Sequence, residues 1–344
     1  MTRPPRAFST AQVAPERRLR AWEEHNAATL IALECRTRSG DEFRAREDNL
    51  SLGAVHMARV RSTAHAVERS AGLIEETPTG SVAIFVSLRG EALFQQAGKR
   101  QLLRPGDLLV CDADGRFVRG FGQGLDEVAL RIDRRALPEA APPQPGEPLI
   151  VRRTDTDPYG RAIARLATRA MGDRGPLPPD EQTIVALVAA LVSRGTTRPQ
   201  TAHRALACAY IQDRLDDPGL KAPDVADAVG ISVRQLTRVF AEVEQTVPRY
   251  VLARRLELAH SLLTGPRAAE LRTATVAYRC GFRSVAHFSQ TFHTRFGIAA
   301  GEVRRLAAAR APDMPHTDFG RPPGDRARST PEDGTLRSNT VNGR

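Results

Sequence analysis

The chain has 344 residues, of which 41% are hydrophobic and 26% are charged. This composition excludes a wholly disordered chain, and the length suits two folded domains. Fifty basic residues, 48 of them arginine, stand against 40 acidic ones and give a formal net charge of +10. Such a charge suits a polyanionic partner but does not identify it.

The cysteines and the hydropathy pattern limit the compartment. Cys35, Cys111, Cys208 and Cys280 stand far apart, with no CxxC pair. That spacing argues against a disulfide scaffold or a zinc finger and predicts reduced thiols. No apolar run approaches the roughly 18–20 residues of a transmembrane helix, and the N-terminus lacks the apolar stretch of a secretory signal. We therefore expect a cytoplasmic protein without a membrane partner.

The first predicted element is a helix at 9–33. Ser9 or Thr10 can cap this helix, and Leu19 and Trp22 fall at rough helical spacing. The chain then changes character, and the change starts at about residue 50.

A β-rich region is predicted at about 50–135. Apolar runs of strand length lie at 82–86, 108–110 and 128–130, separated by turn sequences rich in glycine and aspartate. Short strands at this spacing predict an antiparallel sandwich or barrel. With flanking helices, this β core forms the predicted N-terminal domain, 1–200.

Two helices are predicted after the β core, at about 158–171 and 180–194. The segment 184–192 is apolar on nearly every face, which predicts burial in a core or at a domain or subunit interface. A hinge is predicted at 195–200. The last segment, 311–344, lacks apolar periodicity and is predicted to be a disordered tail.

Between hinge and tail, 201–310 carries the densest positive charge, with 16 basic and 10 acidic residues. Ala226 leaves room for a neighbouring helix, and Gly230 permits a tight turn with positive φ. Ser232 can cap the next helix, with Gln235 as its capping-box partner. This is the pattern of a helix-turn-helix unit, whose second helix enters the major groove of DNA.

The same pattern occurs a second time. Ala277 and Gly281 repeat Ala226 and Gly230 at an offset of 51 residues. Apolar stripes predict the buried faces of the two second helices: Leu236, Val239, Phe240 and Val243 in the first, and Val285, Phe288, Phe292 and Phe296 in the second. Between the copies, 248–263 predicts a helix of roughly 24 Å at 1.5 Å per residue. A connector of that order holds two helices about one DNA turn apart, roughly 34 Å.

Several short stretches carry a family pattern. They are ADAVGIS at 226–232, RRLELA at 254–259, AYRCGF at 277–282, HFSQTF at 287–292 and RFG at 295–297. Together they make 203–310 resemble the DNA-binding domain of the AraC/XylS family of bacterial transcription regulators. Less specifically, 50–135 is similar to the cupin-like regulatory domain of that family, through LRG at 88–90, FQQ at 94–96 and LRPGD at 103–107.

The sequence departs from the family pattern at three positions. Glu244 stands near where many members have glycine, and Ala300 and Val303 stand where proline and an aromatic residue are common. These departures concern loop geometry rather than the fold.

The resemblance also implies roles for individual residues. Base readout falls to Arg234, Thr237 and Arg238 in the first recognition helix, and more weakly to Ala286, Ser289 and Gln290 in the second. Candidate phosphate contacts are Ser232, Arg249, Arg283, Ser284 and Arg295, although a plain surface role is as good an interpretation for the arginines. The expected specific contact is a bidentate hydrogen bond from the Arg238 guanidinium group to O6 and N7 of guanine. RNA polymerase is a further partner that the resemblance implies.

Metal and enzyme chemistry find little support. His56 and His65 suggest a metal site, but the sequence has no His-x-His and no histidine from 66 to 202. We predict no metal and no cofactor. No GxSxG or P-loop motif occurs, so no catalytic residues are predicted.

The predicted fold class is α+β and multidomain: an N-terminal antiparallel β-barrel or cupin-like domain with flanking helices, and a C-terminal all-α domain with two helix-turn-helix units. The predicted function is that of a homodimeric, sequence-specific transcription activator that binds double-stranded promoter DNA and responds to a small-molecule effector. The alternatives are a cupin-type enzyme fused to a DNA-binding module and a structural binder that is indifferent to DNA sequence.

Overall fold

The computed structural model describes residues 6–38, 42–138, 147–172, 178–193, 197–265 and 268–310. The predicted tail lies outside these residues. The strands are β1 Arg6–Ser9, β2 Glu34–Arg36, β3 Ala45–Leu52, β4 Val55–Ser62, β5 His65–Arg69, β6 Ser81–Arg89, β7 Ala92–Gln96, β8 Lys99–Leu103, β9 Leu108–Asp112, β10 Phe117–Phe121, β11 Leu125–Asp133 and β12 Leu149–Val151.

These strands form two antiparallel sheets. Sheet A has the order β1-β3-β4-β11-β6-β9-β12, and sheet B has the order β2-β5-β10-β7-β8. Neither sheet closes on itself, so the predicted β domain is a sandwich and not a closed barrel. The β core also starts earlier than predicted, at β3, with β1 and β2 added from the N-terminal segment.

The alternation of side chains along the strands builds two cores. In β6, Val82 and Ile84 face the helices that cover sheet A, whereas Ala83 and Phe85 face sheet B. Sheet A is therefore buried on both faces, which explains why its central strands read as continuous apolar runs.

The helices are α1 Arg18–Thr29, α2 Ala71–Glu76, α3 Pro158–Ala170, α4 Glu181–Val192, α5 Pro199–Asp213, α6 Ala222–Val229, α7 Val233–Ala241, α8 Val247–Thr264, α9 Thr273–Arg279, α10 Val285–Phe296 and α11 Ala300–Arg310. The described part of the chain contains no helix long and apolar enough to cross a membrane. After the roles that the resemblance implies, we call 6–193 the regulatory half and 214–310 the DNA-binding half, with α5 between them.

The predicted helix at 9–33 is wrong for much of its length. The structure has β1 up to Ser9 and α1 only from Arg18 to Thr29. The Thr10 hydroxyl accepts a hydrogen bond from the Ala45 backbone N–H at 2.8 Å and donates to the Ala45 carbonyl oxygen at 3.2 Å. This pairing with β3 holds the segment out of a helix.

The predicted helices α3 and α4 are confirmed, and α4 has a clear packing partner. Leu187 and Val188 are fully buried in the core formed by α3, α4, α5 and sheet A. The apolar segment 184–192 thus lies within this chain's own core, and its sequence carries no argument for a subunit interface.

The predicted hinge at 195–200 lies partly outside the described residues, and α5 already begins at Pro199.

Cys35, Cys111, Cys208 and Cys280 are free and buried. Burial raises the pKa of the Cys111 thiol to about 12.

Candidate DNA-binding interface

Each helix-turn-helix unit turns at a glycine in the left-handed conformation. In the first, the Gly230 N–H bonds to the Asp227 carbonyl and the Ile231 N–H to the Ala226 carbonyl, with φ at Gly230 of 75°. This Schellman arrangement places Gly230 four positions after Ala226, which accounts for their spacing in the sequence. It directs the chain into the second helix.

The second unit repeats this turn. The Gly281 N–H bonds to the Tyr278 carbonyl, the Phe282 N–H bonds to the Ala277 carbonyl, and φ at Gly281 is again 75°. Here a Cβ at Gly281 would lie 2.3 Å from the Leu215 carbonyl oxygen, so glycine is required for packing as well as for φ.

Helix α7 presents a basic face. Leu236 and Phe240 are fully buried against the other helices, whereas Arg234, Thr237 and Arg238 are exposed. Arg234 and Arg238 are one turn apart and so share a face. The Thr237 hydroxyl donates to the Val233 carbonyl at 2.9 Å, which leaves its oxygen lone pairs and its methyl group for a base edge.

Helix α10 presents a neutral polar face. Phe288 and Phe292 are fully buried, whereas Ala286, Ser289 and Gln290 are exposed. The six predicted readers are therefore placed on two separate exposed helix faces, three on each. The structure places no arginine among the three on α10.

Three predicted stripe positions differ from the prediction. Val243 is predicted on the buried stripe of α7, but it is 42% exposed because α7 ends at Ala241. Val285 and Phe296, at the two ends of α10, are only partly buried. The family departures Ala300 and Val303 are both buried in the core of the DNA-binding half.

The predicted phosphate contacts separate into two groups. Ser232 and Ser284 are N-caps, whose hydroxyl oxygens accept from the Gln235 N–H at 3.2 Å and the His287 N–H at 3.4 Å. Arg249, Arg283 and Arg295 are exposed. These three arginines all lie in the DNA-binding half.

One of these arginines already has a partner. An Arg295 guanidinium nitrogen lies 3.9 Å from Glu257 Oε1. A phosphate at Arg295 would therefore compete with a carboxylate.

Helix α8 joins the two units. Its 18 residues span about 27 Å at 1.5 Å per residue. Thr246 caps this helix, and its hydroxyl accepts from the Arg249 N–H at 3.4 Å. The predicted connector is thus confirmed, with one further residue at each end.

The two histidines that suggested a metal site, His56 and His65, have different surroundings. His65 is buried, and burial lowers its pKa to about 4 while Nδ1 donates to the Thr63 carbonyl. The His56 ring meets the Ser51 hydroxyl at 3.0 Å. Within the described residues, no three His, Cys, Asp or Glu side chains come together as metal ligands.

Comparison with known proteins agrees with this architecture. A family model described as an AraC-binding-like domain matches 22–213, and one described as a helix-turn-helix domain matches 225–306. The chain is 25% identical to the transcriptional activator NphR of Rhodococcus sp over 296 residues, which cover 81% of this chain and 88% of NphR.

A second relative matches a shorter part of the chain at higher identity. The transcriptional activator RhrA of Rhizobium meliloti (strain 1021) is 35% identical over 112 residues, 32% of this chain and 35% of RhrA. Among solved structures, the AraC-like transcriptional activator CuxR aligns with a TM-score of 0.38 and 17% identity, over 75% of this chain and 96% of that chain.

A sandwich domain followed by two helix-turn-helix units defines a DNA-binding transcription regulator. Because the AraC-binding-like model covers more than half of the chain, the chain belongs to the AraC family of these regulators. The enzyme alternative receives no support from these comparisons.

Sequence reasoning missed a polar cluster between the two halves. Gln212 of α5 bonds to Tyr250 and Arg254 of α8 and to Asp180 before α4. These residues show no shared motif or spacing, so only the tertiary structure reveals that they meet.

Proposed function

We propose that the chain is a transcription activator that responds to a small-molecule effector and reads promoter DNA with α7 and α10. The observation that carries this proposal is the pair of exposed polar faces, each on the second helix of its own unit, on one chain. The relatives NphR and RhrA are named transcriptional activators, which supports the sign of regulation. The chain acts by binding and has no catalytic role in this proposal.

The two faces differ, so the DNA site is asymmetric. Helix α7 presents the guanidinium groups of Arg234 and Arg238, which can donate bidentate hydrogen bonds to a base. Helix α10 presents the neutral polar groups of Ser289 and Gln290. We propose that the half-site under α7 is the more discriminating. Arg249, Arg283 and Arg295 are the proposed phosphate contacts, and Ser232 and Ser284 serve mainly as caps.

The first experiment selects duplexes from a random library with the full chain and measures the affinity of variants. Arg238→Ala should weaken binding to the selected site by about 5- to 150-fold and relax one base position, because a bidentate contact discriminates by about 1–3 kcal/mol. Arg161→Ala, which removes an exposed arginine of α3, is the matched control and should leave the affinity nearly unchanged. An equal loss on selected and random DNA would make Arg238 a phosphate contact.

Partners beyond DNA complete the proposal. The sandwich of the regulatory half is the proposed effector-binding domain, and RNA polymerase is the proposed partner at the promoter. A second copy of the chain is the proposed dimer partner. Sedimentation of the full chain with and without DNA tests the dimer, and a reporter promoter with the selected site tests activation.

A further inference from the structure

Helix α5 belongs to two cores at once. Ala205 and Ala209 pack into the core that α3 and α4 share with sheet A. On the opposite side, Ala207, Cys208 and Ile211 pack into the core of the DNA-binding half. A helix buried on both sides transmits a displacement of one half directly to the other, because packed cores do not deform continuously.

A hydrogen-bonded cluster crosses the same boundary. We define the Gln212 cluster as Pro178, Asp180, Gln212, Tyr250 and Arg254. The Gln212 side chain is 1% exposed, accepts from the Asp180 backbone N–H and an Arg254 N–H at 3.1 Å each, and donates to the Tyr250 hydroxyl at 2.9 Å. Arg254 also donates to the Pro178 carbonyl oxygen at 2.5 Å.

The regulatory end of this cluster is tied to sheet A. Glu181, the first residue of α4, accepts a hydrogen bond from the Ala54 backbone N–H at 2.8 Å in the turn between β3 and β4. Gly53 in that turn has φ of 66°, and a Cβ there would lie 2.4 Å from Glu181 Oε2. The first turn of α4 is therefore held by the β3–β4 turn on one side and by Gln212 on the other.

The DNA-binding end of the cluster lies on the helix that joins the two readers. Arg254 forms an ion pair with Glu257, and Glu257 Oε1 lies 3.9 Å from Arg295 of α10. Since α8 carries Arg254 and connects the two units, a shift of α8 changes the position of both.

We propose that the path from the β3–β4 turn through Glu181, Asp180, Gln212 and Arg254 couples the regulatory half to the two helix-turn-helix units. The inference rests on the proposed function, because it assigns a regulatory role to this path. A buried hydrogen-bonding group that loses its partner is costly, so the intact cluster opposes a displacement of one half without the other. An effector that moves the β3–β4 turn therefore acts on α8 through this path.

Linkage allows a test without knowledge of the effector, because coupling between two sites is reciprocal. Trp22 is the single tryptophan and lies buried in the regulatory half, so its fluorescence reports unfolding of that half. Duplex DNA selected by the wild-type chain, added at about 100 times its Kd, should shift the unfolding equilibrium seen by Trp22 about 100-fold.

Two variants interrupt the path at opposite ends. In Arg254→Met and in Glu181→Ala, the same DNA should still shift the helical ellipticity at 222 nm. The shift seen by Trp22 should be clearly smaller than in wild type, with the remainder carried by the packing of α5 into both cores. Two variants are used so that, if one of them fails to fold, the other still tests the coupling. The matched control is Arg255→Met, since Arg255 donates to the Leu215 and Asp217 carbonyls, which both lie within the DNA-binding half. That variant should retain the full Trp22 shift.

The outcomes separate the inference from the proposed function. Wild-type chain that binds DNA without a Trp22 shift overturns the coupling, as does a full shift in both path variants. Wild-type chain that gives no shift in either signal and binds no duplex overturns the proposed function and the coupling with it.

Discussion

The turn that ends α7 has a glutamate where the turns of the two units have glycine. The Glu244 N–H bonds to the Ala241 carbonyl at 2.9 Å, and the Gln245 N–H to the Phe240 carbonyl at 3.1 Å. This is again a Schellman motif, and Glu244 occupies its left-handed position with φ of 54°. Glu244 is also one of the three departures from the family pattern.

The backbone conformation of Glu244 sets the expected change in the free energy of unfolding when glycine replaces it. A left-handed conformation costs an L-residue about 1–2 kcal/mol, whereas glycine adds about 0.5–1 kcal/mol of chain entropy. We therefore expect Glu244→Gly to raise the free energy of unfolding by about 0.5–1 kcal/mol. The measurement is urea unfolding of the full chain, followed by ellipticity at 222 nm.

Glu244→Ala is the matched control. It removes the same exposed carboxylate but keeps a Cβ in the left-handed conformation, so its free energy of unfolding should stay within about 0.5 kcal/mol of wild type. Equal stabilisation by alanine and glycine would refute the argument from φ. It would assign the gain to the lost negative charge at the C-terminal end of the helix.

Two further predictions concern buried residues. Leu187→Ala should lower the free energy of unfolding by about 3–5 kcal/mol, because Leu187 is fully buried in the chain's own core; a changed oligomeric mass with unchanged stability would contradict this placement. His65 has its pKa lowered from 6.5 to about 4 by burial, so the unfolded chain binds the extra proton as pH falls from 6.5 towards 4, and stability is lost over that range. Relative to His65→Gln, wild type should lose about 2 kcal/mol between pH 7 and pH 5 in urea unfolding, and a pH-independent difference would exclude a buried neutral ring.

The DNA-binding half could be predicted because its signals are local. The Ser232–Gln235 capping box predicted from the sequence is present, with the Ser232 N–H donating to Gln235 Oε1 at 3.0 Å. Gly230 and Gly281 fix their turns through their own φ. Buried positions recur at helical spacing, so periodicity alone identifies the exposed faces.

The regulatory half was less predictable because its determinants are non-local. Arg119 of sheet B and Glu127 of sheet A form a buried ion pair with distances of 2.8 and 2.7 Å. The Arg119 guanidinium also lies 3.9 Å above the Phe85 ring. From the sequence pattern, both charged residues belong on the surface. Only the stacking of one sheet on the other makes their burial possible.

The boundary between the two halves was hard to predict for the same reason, because it depends on non-local packing. Alanine-rich α5 gives little periodic signal, since small side chains on both faces let helices approach closely from both sides. The sequence pattern predicts a domain boundary between 200 and 201, whereas in the structure α5, Pro199–Asp213, runs across that position and packs into both cores. Because α5 completes the core of the DNA-binding half, we expect a fragment of that half to fold only when it includes α5.

A fragment of 197–310 keeps Ile211 and its neighbours in their core and exposes mainly alanine on the other face of α5. A fragment of 214–310 loses Ile211, whose full burial alone contributes about 1.5–3 kcal/mol. We expect the longer fragment to be a folded monomer and the shorter one to be unfolded by circular dichroism. Because 197–310 carries α7 and α10 on one chain, it should bind one asymmetric site, with an affinity that falls steeply with salt as arginines displace counterions. Footprinting and mass determination of the complex provide the check. A fragment that bound only as a dimer, to a palindrome with one groove contact per chain, would refute the model of two readers on one chain.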